Sequence, residues 1–119
     1  MSVEADWARP VVHWEIVARD PEVQVSFYKE MFNWEIGSGP IWQIEPGLGG
    51  PEPGPGGHIR QGDTPGVSIY VQVRNLESSV DKAARLGGEV VSGAFDVPGG
   101  PTLAVIRDPE GNALVLVQQ

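Results

Sequence analysis

The chain carries two histidines, His13 and His58, and no cysteine. Histidine titrates near neutrality and serves either as a general acid–base group or as a nitrogen ligand for metals. His13 stands two residues before Glu15 in the stretch VVHWEIVA. On an extended strand, a spacing of two puts both side chains on the same face. A polar pair in mid-strand needs a partner, because burying an unsatisfied polar group is costly. His13 and Glu15 are therefore the candidates for chemistry, as an acid–base pair or as a dock for the polar end of a ligand. The plain alternative is a structural pair that hydrogen-bonds within itself or to Ser68. Neither histidine has a nucleophile motif beside it, so no Ser/His/Asp hydrolase elbow is present. The glycine-rich stretch before His58 lacks a GxxxxGKS/T pattern and does not run from a strand into a helix, so it is not a phosphate loop.

The elements that must position these groups follow from periodicity and capping. Val11 to Ala18 alternates as a strand, with Val12, Trp14, Ile16 and Ala18 on one face and Val11, His13, Glu15 and Val17 on the other. Asp20 caps a helix with Pro21 at its first position. A stripe of Val23, Phe27 and Phe32, with Val25, Tyr28 and Met31 beside it, carries that helix through Asn33. Trp34 to Gly37 and Ile41 to Glu45 read as short strands, and another lies near His58 to Arg60, after a loop dense in glycine and proline. That loop is expected to be a flap or an edge connection near the site.

The same order then repeats. Val67, Ile69, Val71 and Val73 form an apolar strand face opposite Ser68, Tyr70 and Gln72. Asn75 caps a helix that runs to about Leu86 and ends at Gly87-Gly88. Strands follow near Glu89 to Phe95, Thr102 to Arg107 and Ala113 to Val117, the last two joined by a turn over Asp108 to Asn112. The halves superpose at an offset of 55 residues, which sets Arg19 on Arg74, Asp20 on Asn75, Glu22 on Glu77, Val25 on Val80 and Met31 on Leu86. This pattern predicts an α+β domain made of two tandem β-α-β-β-β modules. Residues 1–10 are a short extension containing Trp7, and the modules cover about 11–60 and 66–119.

Composition narrows the partners. The chain has 119 residues and a formal net charge of −8, with only 8 basic residues. A phosphate backbone or an anionic membrane needs clustered cations, so neither nucleic acid nor a membrane surface is expected as a partner. There is no apolar run of membrane-spanning length and no apolar signal core, so the expected location is cytoplasmic.

Several segments carry a family resemblance. VVHWEIVARDPEVQVSFYKEMFNWEI resembles the opening strand and helix of small glyoxalase-like proteins. LGGEVV and the DPEGN turn before a final strand are similar to hallmarks of the same group. Across nearly the whole of Val11 to Gln119, the chain resembles the vicinal oxygen chelate superfamily, which includes glyoxalases, bleomycin-resistance proteins and ring-cleaving dioxygenases. The resemblance implies a curved, cup-like mixed sheet with helices outside, a ligand in the cup and a two-fold homodimer. In metal-using members each module supplies two ligands. By position these fall on His13, Ser68 and Val115, with His58 as the best candidate for the fourth. Serine is a poor ligand for a divalent metal and valine is none.

No cofactor is therefore expected. The expected function is binding of a small, partly aromatic organic molecule by His13, Glu15, His58, Ser68 and Tyr70, with Val115 and Ala113 as an apolar wall. On the strand bordering the cup, either Trp42 or Gln43 faces inward, and Trp42 would offer a stacking surface. Trp14 and Trp34 are expected in the core. The rival reading is a divalent-metal lyase, isomerase or dioxygenase that uses His13, Glu15 and His58.

Overall fold

A computed structural model describes residues 8–45 and 54–119. Seven strands and two helices follow in the order β1 (Val11–Ala18), α1 (Pro21–Phe32), β2 (Ile41–Ile44), β3 (Gly57–Gln61), β4 (Gly66–Val73), α2 (Leu76–Arg85), β5 (Glu89–Asp96), β6 (Thr102–Arg107) and β7 (Ala113–Gln118). The strands form one mixed sheet in the spatial order β2-β3-β1-β4-β7-β6-β5. β1 and β4 meet antiparallel at its centre. Each has a parallel neighbour from the end of its own module, β3 beside β1 and β7 beside β4. An antiparallel partner lies outside each of those, β2 on β3 and β6 on β7. The internal repeat is therefore visible as topology. β1 and β4 are both eight residues long and are offset by the 55 positions read from the sequence.

Local chemistry explains both helices. The Asp20 carboxylate accepts from the Val23 amide, Pro21 opens α1, and Asn33 ends it in a left-handed conformation with φ 56°. The Asn75 side chain accepts from the Ser78 amide at the start of α2. Each helix covers one side of its own module. Ile16, Ala18, Ile36, Ile44 and Ile59 form a core with Val25 and Tyr28 of α1 and with Trp14, Trp34 and Trp42. Val73, Leu76, Ala104 and Leu116 form a second core with Val71, Val80 and Ile106.

The structure corrects three local expectations. Trp34 to Gly37 is not a strand; only Ile36 bridges to Ile44. Gly37 and the Gly39-Pro40 step limit the ladder there, since proline has no amide to donate. Ile36 nonetheless lies outside β2 as β5 lies outside β6, so it marks where the first module's fourth strand would run. In α1 the inward face is Val25 and Tyr28, whereas Val23, Phe27, Met31 and Phe32 are exposed. The helix has apolar residues on two faces, so periodicity alone does not select one. On β4, Val71 and Val73 are covered by the α2 core, whereas Val67 and Ile69 are exposed. Trp7 and much of the glycine-rich loop lie outside the described residues. Among the described residues no helix is long and apolar enough to cross a membrane.

Two glycines are fixed by geometry. Gly111 takes φ 91° in the Asp108–Asn112 turn, where Asp108 Oδ1 accepts from the amides of Glu110 and Asn112. Gly57 opens β3 against Trp14, and a Cβ there would run into the indole ring. That indole is held by Trp34 and by a bond from its Nε1 to the Pro55 carbonyl. Gly57→Ala should therefore cost about 1–3 kcal/mol through overpacking. Urea denaturation, at unchanged m-value, measures the effect.

Candidate functional site

Parity along each strand decides which side chains enter the concave face. Trp14, Ile16 and Ala18 point into the core, so His13, Glu15 and Val17 point the other way. β3 adds His58 and Arg60, and β4 adds Ser68 and Tyr70. Leu103 and Val105 come from β6, Ala113, Val115 and Val117 from β7, and Phe95 from β5. Together they line one cavity of about 1090 Å³. Glu15 pairs with His58 on one side and with Ser68 on the other, while His13 pairs with Tyr70 and Tyr70 with Val115. The sheet register thus gathers the polar residues on β3, β1 and β4, and leaves β7, β6 and β5 mainly apolar.

A hydrogen-bonded chain joins the polar residues. Glu15 Oε1 accepts from Arg60 Nε at 2.6 Å, from His58 Nε2 at 3.0 Å and from the Tyr70 hydroxyl at 3.3 Å. His58 Nδ1 lies 2.8 Å from His13 Nε2. The two imidazoles are tilted by 28°, and Tyr70 meets both edge-on. Glu15 is 5% exposed and His58 8%, so the chain's centre is dry and its His13 end is half-buried. A carboxylate accepts and does not donate, so the proton between Glu15 and His58 sits on His58 Nε2. With that proton on Nε2, His58 Nδ1 is the acceptor for His13 Nε2–H.

The electrostatics follow from these contacts. Burial disfavours a charged Glu15, but the bonds from His58 and Arg60 outweigh it and hold the carboxyl at about 2, below its ordinary 4.5. Burial, and then the neighbouring His58, lower His13, so it is neutral at physiological pH. Burial and the Glu15 charge push Tyr70 up to about 12, so it remains a phenol. At neutral pH the floor is thus built around one carboxylate matched by one guanidinium, with a neutral His13 and a phenol beside it.

Of the expected site residues, His13, Glu15, His58, Ser68, Tyr70 and Val115 all line this cavity. Trp42 does not. Ile41 and Gln43 face the cup, and Trp42 packs into the α1 core, so the stacking role expected for it is corrected. Phe95 contributes an aromatic side chain to the lining instead. The sequence reading missed Arg60, although it stands two residues after His58 on one strand and so shares its face.

The donor set does not fit the divalent metal that the resemblance implies. Arg60 places a cation on the candidate ligand Glu15, both His58 nitrogens are engaged within the chain, and Ser68 and Val115 hold two of the ligand positions. Among the described residues no three His, Asp or Glu side chains are placed to hold a metal ion.

A folded-state carboxyl at about 2, against 4.5 when unperturbed, binds protons more weakly than it does in the unfolded chain. Its contribution, at most about 3 kcal/mol, is complete above about pH 4.5 and is lost as pH falls towards 2. Glu15→Gln should therefore be less stable than the native protein at pH 7, with the gap closing through that window. Denaturation midpoints measured across the pH range test this.

Comparison with known proteins agrees with the architecture. CFP32 of Mycobacterium bovis, provisionally named a glyoxylase, is 26% identical over 133 aligned positions that cover 99% of this chain and 49% of CFP32. The chain thus spans about half the length of the curated relatives it matches. The hypothetical protein BH1468 of Bacillus halodurans superposes with a TM-score of 0.68 at 12% identity, covering 95% of this chain and 96% of its own. A glyoxalase/bleomycin resistance protein/dioxygenase superfamily member from Vibrio splendidus gives 0.63 at 16%, covering 94% and 100%. Methylmalonyl-CoA epimerase from Mycobacterium tuberculosis gives 0.60 at 14%, covering 91% and 86%. At such identities these likenesses concern the fold alone. A family model described as a glyoxalase-like domain matches residues 11–117, nearly the entire sequence, and the chain belongs to that family.

Proposed function

We propose that the cup binds a small, partly aromatic organic molecule. Its polar end docks on His13, Tyr70 and their neighbours, and its body lies against Phe95, Leu103, Val105 and Val115. The observation that carries this reading is the segregation of polarity within one cavity. A satisfied polar floor on β1, β3 and β4 faces an apolar wall on β5, β6 and β7. Ligand sites typically combine such a wall with a few fixed polar groups, in volumes up to about 1,000 Å³. His13, at the outer end of the hydrogen-bonded chain, is the polar group best placed to meet a ligand while the chain behind it stays intact. Membership of the glyoxalase-like family is consistent with a small-molecule site. A metal-dependent lyase, isomerase or dioxygenase using His13, Glu15 and His58 is supported less, because it requires Arg60 to leave Glu15.

Filling the cup tests the proposal. Val105 faces the cavity from mid-strand. Val105→Trp should keep the fold and weaken fragment binding by roughly tenfold or more, because close-packed walls do not yield to an added indole. The measurement is an amide-resolved NMR titration with a library of small aromatic fragments. Shifts centred on Tyr70, Val115 and Leu103 in the native protein, and lost in the variant, are expected. Shifts elsewhere on the surface, unaffected by the variant, would contradict the proposal.

A further inference from the structure

Charge inside the cup runs opposite to charge on the rest of the chain. The whole sequence has 16 acidic and 8 basic residues. Among the described lining residues, those that carry a formal charge are Glu15, Arg60 and Arg107. The acid is already matched, since Glu15 Oε1 receives three donors. Arg60 makes its bond to Glu15 through Nε. A guanidinium has four further N–H groups on its terminal nitrogens, and the Arg60 side chain is 46% exposed. Arg107 approaches Glu89 at 3.7 Å, an exposed and weak pair, and Glu89 is not among the described lining residues.

The two arginines approach from different sides. Arg60 stands in register with Ile41 and Val17, beyond His58 on β3. Arg107 ends β6, in register with Glu89 and Ala113. The apolar wall lies between the β6 end and the polar floor. Fixed cations beside low-dielectric walls focus a positive potential into a concave site, even on an acidic protein. A cationic ligand would meet two guanidiniums and one carboxylate already engaged. An anion would meet planar donors suited to bidentate contact with a carboxylate.

We infer that the cup selects small organic anions, with an apolar body and a carboxylate end, and that Arg60 and Arg107 provide the charge recognition. This inference rests on the reading of the cup as a small-molecule site.

Three probes of matched shape separate the inference from that reading: 2-naphthoate, 2-naphthamide and 2-naphthylmethylammonium, each titrated calorimetrically into the full chain at low and at high salt. Naphthoate should bind about tenfold or more tighter than naphthamide, and the ammonium more weakly than either. Salt should weaken the naphthoate alone. Arg107→Gln, whose native pairing is exposed, should lower naphthoate towards the amide and leave the amide unchanged. Arg60→Lys, which keeps a cation beside Glu15 but loses the planar fork of donors, should also narrow the gap between naphthoate and naphthamide, and it provides an independent variant. If naphthamide binds in the cup and naphthoate no tighter, or if both variants keep the preference, anion selection is overturned and the small-molecule site survives. If none of the three binds, the site reading falls, and the inference with it.

Discussion

A carboxylate held charged in the middle of a sheet needs a donor for its buried oxygen, and Glu15 sets that requirement here. It sits on the central pair of strands, is almost fully buried, and is met by Arg60, His58 and Tyr70. Leaving a buried charge of this kind without its partners typically costs several kcal/mol. The register of β3 and β4 against β1 is what brings those donors to it. A slip of one residue in either pairing would turn His58 and Arg60, or Tyr70, to the helix side of the sheet. The polar network and the sheet register therefore specify each other.

The repeat explains why the two halves of the cup differ. Offset by 55, His13 corresponds to Ser68 and Glu15 to Tyr70. Because β1 and β4 run antiparallel, these positions cross: Glu15 pairs with Ser68, and His13 with Tyr70. Beside β1 stands β3 with His58 and Arg60, whereas beside β4 stands β7 with Ala113, Val115 and Val117. Two modules of one topology thus present unlike chemistry to the same space. That asymmetry gives the cavity one polar end and one apolar end.

Much of this was legible in the sequence because it depends on period and capping. Alternation in Val11 to Ala18 set the inward face that holds His13 and Glu15, and Asp20 and Asn75 marked both helix starts. What escaped depends on contacts distant in the chain. The inner face of α1 is chosen by Ile16, Ile36 and Ile59, which periodicity within the helix does not reveal. The orientation of Trp42 follows from its pairing with Ile59, a core residue, across the β2–β3 ladder. Arg60 showed no motif, and its role appears only once β3 lies parallel to β1 and carries it to Glu15.

The buried network turns on a single proton: the one His58 Nε2 offers to Glu15. Long-range nitrogen–proton NMR of the imidazoles, on protein labelled at histidine nitrogen, reads its position directly. The hydrogen-bond pattern predicts a proton on His58 Nε2, with His13 joined to the ring through Nδ1. A His58 whose proton lies on Nδ1 alone would turn a bare lone pair towards the Glu15 carboxylate and would contradict the account at its centre.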